Sequence, residues 1–117
     1  MLRASVERSE GTVDLRAVVD PTVDSGITHG KALLNFAAAV VGDARAQLSV
    51  ARQALRAALG DGALVQASAI IANFAMNDRA ANAIGIVLEP MFVRGSVEFR
   101  AQLGIDLYPS ALNTLRA

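Results

Sequence analysis

The 117-residue chain has no cysteine and no tryptophan, and it has only one histidine, one tyrosine and three prolines. Without cysteine there is no disulfide, no thiolate nucleophile and no cysteine-ligated metal. A metal centre would need the single imidazole plus carboxylates, a poor donor set for a transition metal. The reading from composition is therefore no metal and no cofactor. Aromatic residues make up 4% of the chain, too few to interleave with basic residues as a single-strand-binding surface requires. No unbroken apolar run reaches the ~18–20 residues that span a bilayer. No charged-then-apolar leader opens the sequence. The expectation is a cytoplasmic protein with neither membrane nor nucleic acid as partner.

Charge of one sign is also lacking, since 11 basic residues balance 11 acidic ones. The distribution is uneven: residues 1–24 are net acidic and residues 31–56 net basic. A mild local excess in a neutral chain does not make a nucleic-acid footprint. Neutrality favours self-association over colloidal repulsion.

What the chain does have is small apolar side chains. Hydrophobic residues account for 53% of it, and 23 residues are alanine. Alanine is the best helix former and lets helix axes approach closely. No segment alternates strictly between apolar and polar, so the expected fold is all-α, an Ala-rich bundle of three main helices with short carboxy-terminal ones. Residues 1–30, with Gly11, Pro21, Gly26 and short apolar runs, read as a flexible arm with a helical turn or two, able to dock on a neighbouring subunit. Residues 31–117 read as the helical domain.

Thr28 is placed to cap a first helix through Val41, burying Leu33, Leu34, Phe36, Ala37, Val40 and Val41 and ending at Gly42. Asp43 is placed to cap a second, Ala44 to Leu59, with Leu48, Ala51, Leu55, Ala58 and Leu59 inward and Arg45, Ser49, Arg52 and Arg56 outward. Gly60-Asp61-Gly62 reads as a tight turn. The third helix, from Ala63 to the stop at Gly85, is apolar almost all round as far as Met76. Such a helix must be surrounded by other helices or by a second subunit. After it, Ile86 to Pro90 is expected to be extended. Ser96 is placed to cap a helix from Val97 to Leu103 ended by Gly104, and Pro109 suits the first turn of a last helix carrying Leu112 and Leu115.

Candidate chemistry is sparse. Ser25 to Ala32 has the outline of a phosphate-binding loop, but Ser25 stands where glycine is needed and Ala32 where a magnesium-binding hydroxyl is needed. No strand precedes it, so that reading is rejected. His29 is the candidate acid–base residue, being the side chain that titrates near neutrality, with Asp24, Ser25 and Thr28 close in sequence. A surface residue in a loop is the plainer and preferred account. Asn73 and Asn77, four residues apart on one helix face, suit helix–helix hydrogen bonds that set register. Together with Arg79 they also suit the polar lining of a small-ligand cleft. Asp78, Arg79 and Asn82 form a polar cluster in which Arg79 can bridge to a carboxylate on a neighbouring helix.

The string Asn73-Phe74, Arg79, Ala81, Ala83 and Gly85-Ile86-x-Leu88 resembles the closing helix of the alkyl hydroperoxidase D-like, or carboxymuconolactone decarboxylase-like, superfamily. Ala51-Arg52-Gln53-Ala54-Leu55 and Leu59-Gly60 are similar to the preceding helix. Phe99-Arg100, Leu103-Gly104, Ser110-Ala111 and Asn113-Thr114 are similar to the tails of relatives, so the resemblance covers roughly residues 31–114. It implies a helical, AhpD-like fold and assembly into homo-oligomers. The peroxidatic branch uses a Cys-x-x-Cys pair on an earlier helix, which this chain lacks. Asp78, Asn82 and Val87 also depart from the usual Asn, Asp and Pro. The chain looks like the carboxy-terminal half of such a domain without its redox half. The expectation is a non-catalytic module for oligomerisation or small-ligand binding. The alternative is a cofactor-free enzyme of the lactone-decarboxylase type, which needs His29 to meet Arg79 or a carboxylate across a cleft. A peroxidase relative that has lost its thiols ranks third.

Overall fold

The computed structural model describes residues 12–112. Among these, every regular element is helical, and the fold is all-α. The chain forms two compact units, Met1–Asn77 and Asp78–Ala117.

In the first unit a 3-10 turn, Leu15–Val18, precedes helix α1, Gly30–Val41. Helix α2, Arg45–Ile84, begins one residue later than the expected start at Ala44. The carbonyl of Ala44 accepts the first amides, from Gln47 and Leu48. The expected tight turn of three residues is a break at one: Gly60 alone leaves helical geometry, at φ 82° and ψ 177°. That backbone region is essentially open to glycine only. An unbroken helix would hold Ala51 and Leu64 roughly 20 Å apart. Both belong to one buried cluster with Phe36, Ala39 and Leu55, so the break lets both arms of α2 close on α1. Leu55 is fully buried at its centre.

Two sequence expectations are corrected here. Thr28 does not cap α1; His29 takes the cap position, with a left-handed backbone at φ 58° and no capping side-chain hydrogen bond. The buried face of α1 is as expected in part: Phe36 is buried and Leu33 packs on the core, but Ala39 is buried too and Val40 and Val41 are exposed. The outward stripe Arg45, Ser49, Arg52 and Arg56 is exposed as expected.

The second unit carries an element the sequence reading missed, α3, Pro90–Gly95, with proline in its first turn. The extended stretch therefore stops at Glu89. Helix α4, Val97–Leu103, ends as expected at Gly104, which adopts φ 66°. Ser96 takes the cap position as expected, but its side chain makes no capping bond; its buried hydroxyl donates to the carbonyl of Phe92 at 2.6 Å. The Arg100 guanidinium ties this unit together, donating to Asp106 Oδ1 at 2.9 Å, to the Val93 carbonyl at 2.7 Å and to Ser96 Oγ. Two 3-10 turns follow, Ile105–Leu107 and Pro109–Ala111. Leu115 lies outside the described residues.

Candidate functional site

Two surfaces of the first unit bring the sequence candidates into view. The first is the loop before α1. Its ends meet where the Asp14 amide donates to the Ser25 carbonyl at 3.1 Å. Asp14 also receives the Arg16 guanidinium and backbone amide, which hold its carboxyl below the usual carboxylate range. Asp20 is lowered in the same direction by hydrogen bonds from the Thr22 hydroxyl and amide. Gly26 and Gly30 fix the approach of the loop to the rest of the unit. A Cβ on Gly26 would lie 2.6 Å from the Thr12 carbonyl oxygen, and one on Gly30 would collide with Ser25 Oγ.

Between this loop and α1 lies a cavity of about 450 Å³. His29 lines it together with Asp24 and Lys31. Among the described residues, no hydrogen bond or ion pair joins His29 to a carboxylate. The Asp24 carboxylate accepts instead from the Gly26 amide at 2.9 Å. Arg79 is not among the cavity's lining residues. Among the described residues, no cluster of three or more His, Asp or Glu side chains is placed to hold a metal ion.

The second surface is the part of α2 from Asp61 to Asn77. The sequence reading expects it wrapped on nearly every side, in part by a second copy; the described residues of the single chain cover one side of it. Leu64 is buried and Ala67 and Ile71 pack on the core cluster. Val65, Ile70, Phe74 and Met76 are each about 60% exposed or more. At 100° per residue, Val65, Ala69, Ala72 and Met76 form one stripe, and Ile70 and Phe74 form another. Gln66, Asn73 and Asn77 run between the two stripes, exposed; Arg79 belongs to the second unit and is exposed there. The periodicity identifies an apolar helix correctly, but it does not say which of its faces the chain itself buries.

No family model, curated protein or solved structure matches the chain.

Helix α2 is long and apolar enough, by length and composition, to cross a membrane, with mean hydropathy 1.2 over an 18-residue window. Counting unbroken apolar runs misses this, because isolated Gln, Ser and Asn residues break a run while lowering a window mean only slightly. Lys31 entered the sequence reading only within the rejected phosphate-loop outline of Ser25 to Ala32, and the ordered loop before it was read as part of a flexible arm. The signal was present in Asp20-Pro21, Asp24-Ser25-Gly26 and Gly30, which are turn-forming residues at close spacing.

Proposed function

We propose that this chain is a helical self-association module, a thiol-free relative of the alkyl hydroperoxidase D-like superfamily, whose interface is the exposed face of α2 between Val65 and Asn77. One observation carries the reading: four large apolar side chains stand exposed on a helix whose other face is packed on the core. Burying the exposed part of each stabilises by roughly 1–2 kcal/mol. Two copies contribute eight such side chains, which offsets an association cost of ~4–15 kcal/mol.

The chemistry of the face selects a second copy as its cover. Ala69 and Ala72 let helix axes approach closely. Asn73 and Asn77 each carry both donors and an acceptor, so either amide can pair with its own counterpart across a two-fold axis. Buried amides in an apolar seam also specify register. A bilayer fits less well. The uncharged stretch from Gly62 to Asn77 is 16 residues, roughly 24 Å of helix, against a hydrocarbon core of ~30 Å. Its exposed amides would face lipid unpaired.

The test is a charge placed in the seam. Phe74→Glu and Val65→Glu are expected to shift the protein to monomer in size-exclusion chromatography with light scattering, with helical circular dichroism unchanged. Retained assembly in both variants would move the interface elsewhere.

A further inference from the structure

The cavity between the loop 14–25 and α1 is unlike the self-association face, because it is a partly open cleft beside a loop whose position is fixed at several points. The Asp14–Ser25 backbone bond closes the loop. The Ile27 amide donates to the buried Ser25 hydroxyl at 3.3 Å. Gly26 and Gly30 allow contacts that no Cβ would permit. A left-handed backbone at a non-glycine residue, such as His29 at φ 58°, costs about 1–2 kcal/mol and is held only when the surroundings impose it. The walls are therefore set before any ligand arrives, which reduces the ordering cost of binding.

The lining has two characters. Val18, Val19, Ile27, Leu34 and Ala38 supply an aliphatic wall. Lys31, His29 and Asn35 supply hydrogen-bond donors from the α1 side. Lys31 makes no ion pair among the described residues. The acid in the lining, Asp24, already accepts the Gly26 amide. The volume of about 450 Å³ lies within the ~300–1,000 Å³ of small-molecule sites.

We propose that this cavity binds a small aliphatic carboxylate, with its chain against the Val18–Leu34 wall and its carboxylate on the Lys31 ammonium. A charge-assisted hydrogen bond to Lys31 selects the anion, and the aliphatic wall selects a hydrocarbon body over a bare ion. The site is separate from the α2 face, so its failure leaves the assembly proposal standing, and the converse holds.

The experiment is a titration of the full chain, followed by methyl and amide NMR, with hexanoate, hexanol, hexylamine and acetate as separate probes. Hexanoate is expected to shift the signals of Val18, Ile27, Leu34 and Lys31, saturating at millimolar concentration, while the other three bind at least about fivefold more weakly. Lys31→Gln is expected to weaken hexanoate about tenfold and leave hexanol unchanged. Ala38→Leu, which fills the cavity from an exposed helix position, is expected to weaken both. Absence of shifts with hexanoate, equal binding of hexylamine and hexanoate, or an unchanged affinity in Lys31→Gln would each overturn the assignment.

Discussion

The amide of Asp14 and the carbonyl of Ser25 are joined at 3.1 Å, and this bond closes a loop that forms one side of the cavity beside α1. Compact loops with adjoining ends are packed by their own side chains and are frequent sites of function. The closing bond itself does not titrate, but the Asp14 and Asp20 carboxylates hold Arg16 and Thr22 within the same loop, so acid tests the order of the loop.

Asp14 and Asp20 both titrate below their ordinary range in the folded chain. A carboxylate lowered on folding contributes stability that is fully present above its unfolded value of about 3.9 and is lost as pH falls through the folded one. Acidification below about pH 4 should therefore lower the hydrogen-exchange protection of residues 14–25, relative to the intrinsic rate at each pH, before the helices lose circular dichroism. Asp14→Asn should show raised exchange already at neutral pH, with a flatter acid response. Loop protection that is unchanged from neutral pH to full acid unfolding would contradict the loop's dependence on these carboxylates.

Gly60 and Gly62 stand two residues apart and should respond oppositely to alanine. Gly60 holds φ 82° and ψ 177° with nothing within 4 Å of an added Cβ. Gly60→Ala should thus cost about 1–3 kcal/mol through conformation alone. Gly62 is helical and equally free of neighbours. Gly62→Ala should stabilise by about 0.5–1 kcal/mol. Urea denaturation of both variants measures the contrast.

Arg100 is mostly buried and serves Asp106, Ser96 and the Val93 carbonyl at once. Lysine keeps the charge but presents a single ammonium in place of a planar fork. Arg100→Lys should cost roughly 1–3 kcal/mol. The increase in amide exchange should be confined to residues 90–107, and a uniform increase along the chain would contradict the local role.

His29 carries the strained backbone at the start of α1. His29→Gly should leave stability unchanged or raise it by about 1 kcal/mol, while His29→Val, a β-branched residue in the same conformation, should lower it. Thermal denaturation of the pair decides whether position 29 needs left-handed geometry.

Much of the fold was legible because it rests on periodicity. Leu48, Ala51 and Leu55 recur at helical spacing, and the inward stripe they form includes the buried Ala51 and Leu55. Gly60, Gly85 and Gly104 mark breaks or ends because each takes a positive φ. The misses have physical causes. Thr28 has the right side chain for a cap, but the backbone reaches the helix through His29 instead. Ser96 has the right side chain for a cap too, but its hydroxyl is taken by the preceding turn at Phe92. The candidates Asn73, Asn77 and Arg79 were legible as polar interruptions in an apolar helix. Whether they look inward or outward depends on what α2 packs against, and a helix apolar all round does not encode that. The cavity was not legible, because it arises where Ser25 meets Gly30 and Thr12 meets Gly26, contacts that no periodicity reports.

Sedimentation equilibrium of the full chain across the micromolar range tests the central claim most directly. The account predicts a homo-oligomer, dimer or larger, whose mass falls toward that of a single 12.2 kDa chain when Phe74 or Val65 becomes glutamate. A single-chain mass for the unaltered protein at every concentration, with Val65, Ile70, Phe74 and Met76 left in water, would contradict it.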